Sequence, residues 1–162
     1  MVRASPKVTA NGLRELDGFL SVLLSELAAA DGWSKEDLVS LARTRNTPNK
    51  LEALCLRRNE EARHSGRLRA LGRCRDALFH SDGVVCRGDD RHAKTLTLGW
   101  PGDGCGERPV ALGLGERLPL NPVDLAWICD LYVNIADNLV RHDGNREFSE
   151  RDCNSTQTSP YA

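Results

Sequence analysis

The sequence predicts a mainly α-helical fold, a bundle of four or five helices with a small β-hairpin inserted before the last long helix. Three observations carry that expectation. Apolar residues recur at spacings of three and four through most of the first half of the chain, the period of a helix face packed on a core. Two short segments within residues 94–114 alternate with period two, as half-buried strands do. Asn121, Pro122 and Asp124 then make the clearest helix start in the chain: a cap, a first-turn proline and an acid near the helix N-terminus.

Leu13, Leu16, Phe19, Leu20, Leu23, Leu24 and Leu27 mark the first helix, which runs to about Ala30 and ends at Asp31 and Gly32. Ser34, followed by Lys35, Glu36 and Asp37, resembles an N-cap with acids in the first turn and opens a shorter helix through Leu38 and Leu41. Asn46 to Asn49 interrupts, because Pro48 suits a first turn or a loop and not a helix interior. From Leu51 the helical pattern resumes, weakens at Ser65 and Gly66, and continues from Leu68 to Phe79 until Ser81, Asp82 and Gly83 stop it. A polar loop precedes the hairpin formed by residues 95–100 and 110–114. The last helix carries Leu125, Ile128, Leu131, Tyr132, Ile135 and Leu139 as its buried stripe. The domain is expected to span residues 8–141, with 142–162 as a disordered tail.

With 162 residues, 40% of them hydrophobic, one domain can bury an ordinary core. A net charge of −1 means that any nucleic-acid surface must be local, and residues 62–94 hold eight basic side chains against four aspartates. The six cysteines are widely separated, with no Cys-x-x-Cys pair and no companion histidine pair, so no metal site is expected. Residues 1–12 lack the apolar core of a secretory signal, and the longest apolar-rich run, Leu20 to Ala30, is too short to span a bilayer. The expectation is a cytoplasmic protein with reduced thiols and no membrane contact.

The chemistry concentrates at the end of the fourth helical segment. Arg67, Arg69, Arg73 and Arg75 lie on it, and it closes on Arg75, Asp76, Ala77, Leu78, Phe79 and His80. Guanidinium is a permanently charged planar fork for phosphate oxygens, and imidazole exchanges a proton near neutrality. Arg75 follows Leu71 by four and so borders the apolar stripe, where a charge needs a partner or a cleft. His80 lies five residues on, roughly 140° around an ideal helix. The two side chains diverge unless the last turn departs from ideal geometry or a second subunit contributes. The plainer alternative is that Arg75 pairs with Asp76 or an acid on the last helix while His80 bonds the helix end.

The run RDALFH at 75–80 resembles the signature of the HEPN superfamily, an arginine, usually a polar residue after it, and a histidine a few residues later near a helix end. Arg87 to His92 matches the same spacing, but in a polar loop; only the first match ends an amphipathic helix with a long closing helix still to come. The polar position, often asparagine in the family, is Asp76 here. The resemblance implies a homodimer in which two motif copies face one cleft and cleave RNA without metal or cofactor, leaving 2′,3′-cyclic phosphate and 5′-hydroxyl ends. Arg75 and His80 would be catalytic, Asp76 supporting, and Arg67, Arg69 and Arg73 would hold the RNA backbone. Toxin or phage-defence roles are common in the family, which implies a possible antitoxin or regulatory protein partner. The alternative is a catalytically silent HEPN-like dimer that binds RNA, a nucleotide or a protein; a purely structural helical subunit is a third class.

Other signals read as structure. Gly102 to Gly106 lacks the lysine and following helix of a phosphate loop. Trp100 and Trp127 offer stacking surfaces but fall in structural elements, Trp33 sits beside a cap, and His64 reads as a surface residue.

Overall fold

The computed structural model describes residues 5–102 and 109–154, with side chains described as far as Arg141. The fold is mainly helical with a small antiparallel hairpin, in the order α1 (Pro6–Ala30), α2 (Lys35–Arg43), α3 (Thr47–Arg58), α4 (Ser65–His80), β1 (Thr95–Thr97), β2 (Ala111–Gly113) and α5 (Pro122–Asn154).

The starts of the helices follow from their caps. Ser34 Oγ accepts from the Asp37 amide at 3.2 Å and donates to the Asp37 carboxylate at 2.8 Å, a reciprocal cap that opens α2. Asn121 Oδ1 accepts from the amides of Val123 and Asp124, while Asp124 Oδ2 accepts from the Asn121 amide at 2.9 Å, which opens α5. Pro48 sits in the first turn of α3, so the interruption expected at 46–49 is a helix start.

The break between α3 and α4 lies earlier than the Ser65–Gly66 weakening suggests. Asn59 ends α3 in the left-handed conformation with φ 57°, and the Glu60 amide returns to the Cys55 carbonyl at 2.8 Å. Ser65 and Gly66 are thereby the first residues of α4. The strands are also shorter than the period-two segments, each three residues long, paired Thr95 to Gly113, Leu96 to Leu112 and Thr97 to Ala111. Trp100 leaves the strand and is fully buried, its indole N–H donating to the Pro119 carbonyl at 3.1 Å. At the C-terminal end, α5 continues as helix to Asn154, past the last residue of its apolar stripe, Leu139. Residues 103–108 of the hairpin connection and 155–162 of the expected tail lie outside the described residues.

The core gathers Leu20, Leu24, Leu54, Leu71, Ile128 and Ile135, all nearly inaccessible, between α1, α3, α4 and α5. Helix α1 packs against α4 more extensively than any other pair of elements meets. At the far end of α1, buried Arg58 makes a bidentate ion pair with Asp31 at 2.7 and 3.0 Å and donates to the Leu139 carbonyl. One guanidinium thus ties the ends of α1 and α3 to the Leu139 carbonyl within α5, and its buried charge is met by a carboxylate.

Candidate functional site

Three of the arginines of α4 meet partners on three different elements. Arg67 lies over the Trp127 ring of α5, 4.8 Å from its centroid. Arg69 grips Glu52 of α3 through two bonds of 2.8 and 2.6 Å and also donates to Asn49. Arg73 pairs with Asp89 of the following loop at 2.9 Å. Burial pushes the Asp89 carboxyl up, but bonds from the Thr97 hydroxyl and amide and the charge of Arg73 outweigh it and hold the carboxyl below its ordinary value. These three arginines are thus each engaged by a different element.

Arg75 and His80 share a groove. Its wall on α4 is Arg75, Asp76, Phe79 and His80, and its wall on α1 is Ala10, Asn11 and Arg14, enclosing about 310 Å³. Helix α4 stays regular through His80, since the Ser81 amide bonds the Ala77 carbonyl at 3.0 Å. The divergence of roughly 140° therefore persists. Phe79 and Asp76 fill the sector between the two side chains, and α1 crosses that sector. The motif is read from the side of the helix, with no distortion of its last turn.

The chain beyond His80 is pinned. Asp82 and Gly83 turn it with positive φ, Arg117 donates to the Asp82 carbonyl at 2.7 Å, and the Val85 and Leu118 amides bond Glu116 and Gly83. His80 is exposed, with its ring edge-on to Phe79 at 5.0 Å between centroids. It makes no side-chain hydrogen bond with any described residue and lines the groove. Arg75 is held more tightly. It donates to Asp76 at 3.0 and 3.2 Å and lies 3.5 Å from Asp17 of α1, with about a quarter of its side chain accessible. The acid partner beyond Asp76 thus comes from the first helix and not the last. Behind the pair, burial and the Asp17 charge push the Tyr132 phenol well above its ordinary range, with Arg75 pulling the other way.

Asn11, Arg14 and Asp17 were not marked by sequence reasoning. They step around α1 at spacings of three, from exposed Asn11 and Arg14 to half-buried Asp17, a pattern that does not say which helix they meet. The arrangement offers a proton-transfer group, two guanidiniums and an exposed aromatic face around one opening.

Away from this groove, His64 is half-buried and lines a cavity of about 410 Å³ with Leu51, Cys55, Ile135 and Asn138. Burial, then the charges of Arg67 and Arg63, hold its imidazole below its ordinary value. It is less exposed than a surface residue of a helix start would be. Trp33 is half-buried with Arg57 over its ring at 4.6 Å, and Cys74 is buried, its thiol pushed up to about 11. Among the described residues, no group of three or more His, Cys, Asp or Glu side chains could hold a metal ion. No helix of the described residues is long and apolar enough to cross a membrane. Comparison with protein-family models, curated proteins and solved structures gives no match.

Proposed function

We propose that the protein is a metal-independent endoribonuclease of the HEPN type, acting as a homodimer. The observation that carries this reading is the shared groove: Arg75 and His80, which the sequence singles out, line one opening together with Arg14. In the reaction, the 2′-oxygen of a ribose attacks the adjacent phosphorus and gives up its proton. The bond from phosphorus to the 5′-oxygen breaks, and that oxygen takes a proton as it leaves. The products are a 2′,3′-cyclic phosphate and a 5′-hydroxyl. His80 moves a proton, Arg75 stabilises charge on the equatorial phosphate oxygens, and Asp76 orients Arg75. A second copy of the motif supplies the second proton-transfer group.

The bonds from Arg75 to Asp76 and its approach to Asp17 favour a second reading, a silent HEPN-like dimer that binds RNA, a nucleotide or a protein, because a guanidinium so neutralised stabilises less charge. Cleavage assays separate the two. His80→Ala and Arg75→Ala are each expected to lower cleavage roughly a hundredfold or more with the fold intact, His92→Ala to leave it unchanged, and excess EDTA to be without effect. Folded variants at both positions that cleave as well as the parent, or a parent that binds RNA and never cleaves it, would transfer the assignment to the binding module.

A further inference from the structure

The two arginines of the groove differ in what already holds them. Arg75 faces two carboxylates, Asp17 and Asp76, so the three side chains together carry one positive charge against two negative ones. A phosphodiester approaching that side meets a balanced guanidinium and the repulsion of Asp76, whose side chain is largely exposed. Arg67, Arg69 and Arg73 are occupied elsewhere, on Trp127, Glu52 and Asp89. Arg14 is exposed and makes no ion pair or hydrogen bond with any described residue. Asn11, three residues earlier, is its neighbour on the helix surface and is likewise exposed. Ala10, buried to 1%, lines the groove beside them with only a methyl side chain.

We propose that Arg14 and Asn11 form a phosphate subsite on the α1 wall of the groove, which takes a backbone phosphodiester of a nucleic-acid strand. The guanidinium fork receives two phosphate oxygens, and the Asn11 amide donates to one of them. The strand then lies along α1, with Phe79, 41% exposed, and His80 facing it from the other wall. This inference rests on the groove being the nucleic-acid site. It assigns the main electrostatic anchor to a residue outside the arginine and histidine motif.

The test reads binding and cleavage separately. A short fluorescein-labelled 2′-O-methyl oligoribonucleotide of mixed sequence cannot undergo the internal attack, so its anisotropy reports affinity alone. Arg14→Ala is expected to weaken binding about tenfold and to reduce the dependence of log K on log salt by about 0.7, one single-strand phosphate contact. Arg14→Lys should retain the salt slope, and Asn11→Ala should weaken binding without changing it. Arg75→Ala should alter the slope less than Arg14→Ala, because its charge is already offset. A folded Arg14→Ala protein with the parent's affinity and slope, or a parent that does not bind the probe, overturns the subsite. A parent that binds the probe with this Arg14 dependence but leaves unmodified RNA intact keeps the subsite and removes the ribonuclease reading.

Discussion

At the scale of single residues, the groove is governed by which charges are already spent. Asp76 does two opposing things: it fixes the Arg75 guanidinium through two bonds and places a carboxylate where phosphate must come. Asp76 is largely exposed, so solvent screens both effects and neither is large. Asp76→Asn keeps an acceptor for Arg75 and deletes the negative charge. It is expected to raise RNA affinity and kcat/KM by up to about fivefold, the worth of an exposed ion pair. An unchanged or lower kcat/KM with tighter binding would mean that the carboxylate orients Arg75 and that its charge costs little. Residue type and spacing put Arg75, Asp76 and His80 near one helix end, and the structure places Arg75 and His80 on one groove. Asn11, Arg14 and Asp17 were not legible as parts of the same site. Their contact with α4 is made across dozens of residues of chain, and nothing local to α1 encodes its partner.

Among the elements, caps and apolar stripes account for the helices well, and close approaches account for what the sequence does not show. Ser34, Pro48, Asn121 and Asp124 act through neighbours three or fewer residues away, which is why those helix starts can be read from the chain. The true break before α4 depends on Asn59 adopting a left-handed conformation, which asparagine tolerates without announcing it. Hairpin attachment is similar. Gly99 is buried against α4, and a Cβ there would stand 2.5 Å from Leu71 Cγ and 2.8 Å from the Leu71 amide nitrogen. Gly99→Ala should therefore cost about 1–3 kcal/mol by overpacking, seen as a lowered midpoint in urea with an unchanged slope; no loss would mean that the hairpin floats on α4.

The start of α4 carries a pH dependence of its own. His64 sits among Arg63, Arg67, Glu60, Glu61 and Asn138, and burial with the two arginines holds it below 6.5. The unfolded chain takes up that proton first as pH falls below about 6.5, so the stability present above this value is lost as pH falls through the lowered one. Thermal unfolding at about pH 7.5 and about pH 5.5 should show a drop that His64→Gln reduces. An equal drop in the variant would assign it to other groups.

For the whole molecule, the question is whether one chain is enough. A single groove holds one His80, and the reaction proposed needs one proton taken from the 2′-oxygen and another given to the departing 5′-oxygen. Arg75 and His80 also diverge on a regular helix, so one copy presents them from opposite margins of the opening. A two-fold pairing supplies the missing group from the same residue. The outer face of α1 offers apolar surface beside the groove: Val8, Phe19 and Val22 lie on one side of that helix and are each more than half exposed, so Phe19 faces away from the core stripe its spacing predicts. A dimer joined there would bring two grooves together and cover these side chains, whereas solvent leaves them with nothing to gain. We expect light scattering to give twice the mass of the chain at micromolar concentration. Phe19→Glu is expected to raise the dimer dissociation constant about thirtyfold or more, the loss of one anchor side chain, and to lower cleavage in parallel with the monomer fraction while helix content by circular dichroism stays constant. Raising protein concentration should restore both dimer and activity in that variant, which a damaged active site would not permit. A parent that is monomeric and still cleaves would require the second proton to come from water or from a group on the same chain.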